Sequence, residues 1–452
     1  MHGRFFNQTI AVVVVVVFVA VAAAWMLWPK AADRGRSRFF ADQTYNFQTL
    51  RALDDVSDIG GDTGETLQTV GGLKSGDAQG WYDAWQTTGD RVVALANRSN
   101  DQISRGRALL RAHAYYRTAE FFLAPHDAKR PAIWKKNVDA FYQGLDVLGI
   151  KHQRFAVPYG KYHLNAVYYP GPLGAERRPL LMFVGGYDET MEEAYLSVGL
   201  AAYTHGYSVL IYEGPGQGSV IREQGLVFTP EWEKPNSAIL DAFLQAHPKP
   251  GKIVLIGASL GGYLAPRAAA FDKRIDGVVS YDEFFDGGAI SSRNVPKLAI
   301  WLKEHGYYGM LNFLSGLKSD PGKVWAQENG MWVFGASDPF ALLDVFKAYT
   351  LAPVASRIDI DVLILAGEDD HFVPLGQVEE YRQSLVHARS VTSIVFDRAS
   401  GGGEHCQLGA PSLWHAALFD WLSSKFGASG NGAGPTITPQ SIAPVSGPPV
   451  VS

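Results

Sequence analysis

Hydrophobic positions change texture along the chain, and each texture predicts a different element. From Ile10 to Trp28 the run "IAVVVVVVFVAVAAAWMLW" carries 19 residues without a charge, close to the roughly 20 that cross a bilayer as a helix. Between 80 and 150 apolar residues recur at turn spacing. "ISRGRALLRAHAYYRTAEFFL" shows it, with Leu109, Leu110, Ala114, Tyr115, Phe121 and Phe122 at helical rather than strand periodicity. This pattern predicts a helical N-terminal domain over 36–150, with Trp81, Trp85, Tyr115, Tyr116, Phe121 and Phe122 as core rather than pocket lining.

From 151 the texture shortens. "HQRFAVPY" and "YHLNAVYY" alternate like antiparallel strands, whereas "LLMFVGG", "YSVLIYEG", "KIVLIG", "IDGVVSYD", "DVLILAG" and "VTSIVFD" are dense runs of strands covered on both faces. Helical segments separate them. The expectation is an α/β architecture over 151–426, a mostly parallel eight-stranded sheet with helices on both faces. A stretch without clear strands, about 284–355, interrupts the sheet and predicts a helical lid. Beyond 427, "ASGNGAGPTITPQSIAPVSGPPVVS" predicts a disordered tail.

Composition narrows the classes. At 452 residues with 47% hydrophobic residues the chain holds more than one structural unit. A net charge of -5 supplies no basic field for nucleic acid. The single cysteine, Cys406, has no intramolecular disulfide partner. Residues 1–35 read as a single-pass membrane anchor, because Trp25 and Trp28 suit an interface; the alternative is a signal peptide cleaved near Ala22-Ala23-Ala24 and a secreted body. Lys30, Arg34, Arg36 and Arg38 favour a cytoplasmic body for the anchored form. The partner expectations are a small-molecule substrate and the membrane, with a homodimer as the open alternative to a monomer.

Candidate chemistry starts at Gly257-Ala258-Ser259-Leu260-Gly261, which joins a strand to a helix. A serine on such a turn projects Oγ above the sheet as a nucleophile, and the flanking glycines let strand and helix approach. Serine needs a base and a carboxylate to orient that base. After "DVLILAG" come Glu368, Asp369 and Asp370; after "VTSIVFD" comes a loop with His405. The order Ser259, Asp370, His405 fits a strand-end relay. Asp370 is chosen for its place in Gly-x-x-Asp-x-x-Val-Pro, while Asp369 reads as a solvated turn carboxylate. His371 is adjacent to Asp370 and so badly placed for the relay; His415 falls within the following helix. For the oxyanion, the donors expected are the N–H of Leu260 and one from the Gly185-Gly186-Tyr187 loop, at Tyr187 or Gly186. "EGPGQGSV" lacks the Gly-Lys-Ser/Thr end of a phosphate loop and reads as structural. No metal is expected: His152 and His163 have no companion acids, and Cys406 reads as a buried, inert thiol.

These motifs resemble the α/β-hydrolase superfamily over about 151–425. "GGYDETMEEAY", "YEGPGQG", "GASLGGYLAPRAAAFDKRI", "NGMWVFG", "GGGEHCQLG" and "RAHAYYRTAEFF" are similar to the branch with 2,6-dihydroxypseudooxynicotine hydrolase and fungal hydrolases that shorten polyketide pigment precursors. The resemblance implies a helical N-terminal domain over the hydrolase core, the active site between them, and cleavage of a carbon-carbon bond beside a ketone by serine chemistry without a cofactor. It also implies an additional acid, for which Asp282 and Glu283 are positional candidates against a reading as solvated loop acids. The membrane run is not usual in that branch. The alternatives are a carboxylesterase or amidase with the same three residues, and, from another class, an inactive membrane-tethered binding protein.

Overall fold

The computed structural model describes residues 38–57, 59–293, 300–302, 305–307 and 320–427. The membrane-directed run, most of the Gly/Pro/Ser tail and the middle of the insertion lie outside the described residues. Among the described residues no helix is long and apolar enough to cross a membrane.

Five helices build the N-terminal region: α1 (Gln43–Asp54), α2 (Thr63–Val70), α3 (Ala78–Arg98), α4 (Gln102–Glu120) and α5 (Arg130–Leu148). Asp42, Asp62, Asp77 and Asp101 cap the first four, each accepting backbone N–H groups of the first turn that the helix itself leaves without acceptors. The aromatic stripe is core, as its spacing predicts. Trp81, Trp85, Tyr115, Tyr116, Phe121 and Phe122 are all buried in one cluster.

The sheet has eight strands in the order β1-β2-β4-β3-β5-β6-β7-β8. They are β1 (Gln153–Tyr159), β2 (Tyr162–Tyr169), β3 (Leu180–Val184), β4 (Val209–Glu213), β5 (Ile253–Ala258), β6 (Gly277–Tyr281), β7 (Asp361–Gly367) and β8 (Ser390–Phe396). β1 and β2 pair antiparallel, β2 pairs antiparallel with β4, and the other pairs are parallel. The dense runs of β3 to β7 are buried on both faces, and period-2 alternation divides them: Leu180, Met182 and Val184 join one cluster, Leu181 and Phe183 the other. The run "VTSIVFD" is the exception: as β8 it is an edge strand of the sheet, and its residues are half-buried or exposed rather than covered on both faces. That second cluster also holds Leu110 and Ala114 of α4 and Phe141 and Leu145 of α5, so the helical region packs on one sheet face. Within the insertion the helices Pro321–Phe334 and Pro339–Phe346 are described. Trp325 stacks on Phe121 with ring centroids 4.1 Å apart, joining the insertion to the helical region.

Candidate active site

Ser259 sits between β5 and the helix Gly261–Ala269 with φ of 57°, a left-handed conformation that costs a residue with a side chain. The surrounding glycines explain how the turn closes. A Cβ on Gly257 would lie 1.9 Å from the Gly261 carbonyl oxygen, and one on Gly262 1.8 Å from that of Asp282. The Ser259 N–H donates to the Tyr281 carbonyl at 2.7 Å, tying the turn to the end of β6.

His405 reaches this serine from the loop after β8. Its Nε2 lies 2.8 Å from Ser259 Oγ, and its Nδ1 2.5 Å from Asp370 Oδ2. An ionised carboxylate only accepts, so Nδ1 carries the proton and Nε2 is free to accept from the hydroxyl. Asp370, just past β7, is steadied by the N–H groups of Phe372 and Val373, which donate to Oδ1 at 2.6 and 2.9 Å. Burial alone would raise the Asp370 pKa, but the His405 charge and hydrogen bond hold it below the usual carboxylate value. For His405 burial works downward, and the Asp370 carboxylate overcomes it, leaving the imidazole well above its ordinary 6.5. The three residues selected from the sequence therefore meet in one hydrogen-bonded line.

Gly186 packs against the turn: a Cβ there would stand 2.7 Å from Ser259 Cβ and 3.1 Å from Leu260 N. Among the described residues the N–H groups of Leu260, Gly186 and Tyr187 donate to no protein acceptor. Gln217, from the "EGPGQG" loop, donates through Nε2 to the carbonyls of Gly185 (2.7 Å) and Gly186 (3.2 Å). In a trans peptide the N–H opposes the C=O, so these bonds turn the N–H groups of Gly186 and Tyr187 away from Gln217. The Tyr187 side chain faces the insertion, its hydroxyl donating to Ala326 O at 2.5 Å.

Three expectations about nearby acids are corrected. Asp282 and Glu283 are not solvated loop acids but are 0% and 1% exposed. The reason is topological: β6 lies between β5 and β7, and Glu283 N–H donates to Leu365 O of β7. Asp282 accepts from Cys406 N–H and Gln407 Nε2, both at 2.9 Å, and lies 3.7 Å from His405 Nδ1. Burial and the neighbouring Asp370 charge push its carboxyl up to about 7. Glu283 Oε2 has no hydrogen-bond partner among the described residues, and burial with the Asp282 charge holds that carboxyl well above its usual value. Asp369 is also buried, paired with Arg398 by two 2.6 Å contacts.

The remaining candidates stand outside the relay. Glu368 accepts the Arg398 N–H at 3.1 Å. His371 packs its ring against Phe372 and Phe47, with Nδ1 3.8 Å from Glu404 Oε2. His415 lies against the Ser197 carbonyl, His152 against that of Ile150, and His163 is exposed in β2. Asp282, His405 and Cys406 offer donor atoms within 4.8 Å of one another, the geometry a metal ion would need. Both His405 nitrogens and both Asp282 oxygens are already engaged by protein groups, so the cluster suits a hydrogen-bond network better.

No sequence motif marks the charged residues that bind the helical region to the Gly186 loop. Arg51 of α1 contacts Asp188 (2.7 Å) and Glu193 (2.6 Å), and Arg117 of α4 contacts the same two acids, each at 3.0 Å. The available signal was charge embedded in an otherwise aromatic helical stretch, at Arg117 and Glu120.

A family model described as "Alpha/beta hydrolase family" matches residues 181–415, just over half the chain. The chain belongs to the alpha/beta hydrolase family. Among its relatives, the hydrolase acrC of Aspergillus aculeatus is 30% identical, covering 86% of this chain and 98% of its own. The 20-hydroxy-prefusarin hydrolase FUS2 of Gibberella moniliformis is 31% identical with the same coverage. The structure of a 2,6-dihydroxy-pseudo-oxynicotine hydrolase shares the fold, with a TM-score of 0.63 at 21% identity over 83% of this chain and 95% of that one. With family membership and relatives themselves named hydrolases, the present alpha/beta hydrolase is an enzyme of that class.

Proposed function

We propose that this alpha/beta hydrolase is a serine hydrolase that cleaves the carbon-carbon bond beside a ketone in an aryl-ketone or polyketide-like substrate. The observation that carries the reading is the line Asp370 Oδ2, His405 Nδ1 and Nε2, Ser259 Oγ, with steps of 2.5 and 2.8 Å. Ser259 Oγ attacks the carbonyl carbon while His405 Nε2 takes its proton, and Asp370 stabilises the imidazolium. The oxyanion is received by the N–H of Leu260 and that of Gly186 or Tyr187. Collapse breaks the carbon-carbon bond, and the pair leaves as an enolate-type carbanion that is protonated on carbon by a neutral neighbouring carboxyl; the proton held by His405 then replaces the one this carboxyl gave, which returns the ring to its neutral form. Water, deprotonated by His405, then releases the acid from Ser259, so one water is consumed and one carboxylic acid and one shortened ketone are formed.

Two features favour a carbon leaving group over an alkoxide. A carbanion must be protonated on carbon, and burial beside the relay raises Glu283 well above its usual value and pushes Asp282 up to about 7, both in the direction of the protonated form such a step needs. The named relatives add a second support, since one of them acts, by its name, on a prefusarin-type compound. Carboxylic ester hydrolysis by the same three residues is the competing outcome. The test compares purified enzyme on aryl β-diketones and on simple aryl esters. Turnover of the diketone with release of carboxylic acid is expected, and fast ester turnover with inert diketones overturns the carbon-carbon assignment. The run Ile10–Trp28 is proposed as a membrane anchor, and the full-length chain should remain with membranes through alkaline carbonate extraction.

A further inference from the structure

The loop from Gly185 to Glu193 is held at both ends. At its first residues Gln217 of the hydrolase core fixes the carbonyls of Gly185 and Gly186. At its far end the helical region closes on it with two guanidinium groups. Arg51 places Nη1 on Asp188 at 2.7 Å and both Nε and Nη2 on Glu193 at 2.6 and 2.8 Å. Arg117 reaches Asp188 at 3.0 Å and Glu193 at 3.0 Å, and its Nη1 donates to Gln48 Oε1 of α1, also at 3.0 Å.

The side chains of Arg51, Arg117 and Glu193 are 13%, 6% and 7% exposed and that of Asp188 25%, so the Glu193 contacts are shielded from water and the Asp188 contacts partly so. Two cations face two anions. Burial and the charge of Glu193 push the adjacent Glu189 up to about 8, which keeps it neutral near pH 7 and leaves the cluster balanced. Buried pairs of this kind add little net stability over apolar packing, but their planar forks fix geometry. Asp188 immediately follows Tyr187, so what the clamp fixes is the backbone that presents the Gly186 and Tyr187 N–H groups beside Ser259.

We infer that Arg51 and Arg117 are positioning residues for the oxyanion-binding loop, so that the helical N-terminal region completes the catalytic centre rather than only covering it. The inference rests on the serine-hydrolase reading above. Misplacing a catalytic donor by about 1 Å costs up to about 100-fold in rate, and such a loss belongs to kcat because the donor acts in the transition state.

The test measures kcat and KM for p-nitrophenyl acetate, with active sites counted by fluorophosphonate titration and folding followed by thermal melting. Arg51→Met removes the fork but keeps length. Asp188→Asn is the second variant, because Glu193 still pairs with both arginines, and its melting temperature is expected to stay near that of wild type. Each is expected to lower kcat per titrated site about 10- to 100-fold with KM changed less than about 2-fold. Guanidinium ion at low millimolar concentration is expected to restore part of the Arg51→Met loss, and Arg51→Lys should keep more activity than Arg51→Met. A lower melting temperature with unchanged kcat per titrated site in both variants overturns the positioning role and leaves the serine reading intact. Wild-type enzyme that takes up no fluorophosphonate overturns both.

Discussion

The ring of Phe47 stands 6.2 Å from the ring of His405, centroid to centroid, although the two residues come from opposite ends of the described chain. Phe47 is 4% exposed and also packs on His371 at 4.9 Å and Phe372 at 5.8 Å. Helix α1 therefore roofs the imidazole, excluding water from groups whose electrostatics depend on its absence. Substituting Phe47→Ala should raise KM for a bulky aryl substrate about 5- to 150-fold while changing that for p-nitrophenyl acetate less, since an apolar contact is worth about 1–3 kcal/mol. Paired kinetics on the two substrates checks this.

Removing the Asp370 charge leaves the ring but not its tautomer. Asp370→Asn should lower kcat on the order of 10³- to 10⁴-fold, as loss of the orienting carboxylate does in the serine-protease template. Asp369→Asn weakens the pair with Arg398, whose side chain is 50% exposed, and leaves the Asp370–His405 bond in place, so kcat should stay within about 2-fold of wild type. Side-by-side kinetics of the two neighbours decides which acid belongs to the relay.

The pH dependence follows from the His405 shift. His405 acts as base only when neutral, and its folded-state pKa is raised well above 6.5. The acid limb of kcat/KM, which reports free enzyme, should therefore have its midpoint above 6.5. For stability the sign is opposite: the charged ring favours the fold, a contribution present below the ordinary value and lost as pH rises through the raised one. Profiling kcat/KM with pH is the check, and a limb centred below 6.5 contradicts the assignment.

Gly257→Ala is a test of the turn itself. Its Cβ would have to displace the Gly261 backbone oxygen, 1.9 Å away, and that atom cannot move without shifting the helix that follows Ser259. A loss of about 3 kcal/mol or more is expected, well beyond the ordinary effect of a single substitution. Chemical denaturation of the purified enzyme and its Gly257→Ala variant measures it.

Much of this architecture was legible because it is periodic. All eight strand runs pair in one sheet, and the uniformly apolar runs of β3 to β7 are covered on both faces; β8 reads the same way in sequence but lies half-exposed at the sheet edge, which its own residues do not record. Ser259, Asp370 and His405 were legible for another reason: each lies in the connection that leaves the carboxyl end of a parallel strand, so chain order fixes which end of the sheet they share. What escaped depends on tertiary neighbours. Whether Asp282 and Glu283 are wet or dry is decided by the position of β6 inside the sheet, which no local pattern records. Arg51 looks like any helix-surface cation until α1 is laid against the loop after β3. Asp369 was misread because its partner, Arg398, lies beyond the next strand.

The central claim is that Ser259 is the nucleophile. Purified enzyme lacking the first 35 or so residues should be labelled covalently by a fluorophosphonate, with the mass increment on the peptide containing Ser259 and none in Ser259→Ala. Labelling that persists in Ser259→Ala, or an increment on another residue, contradicts it.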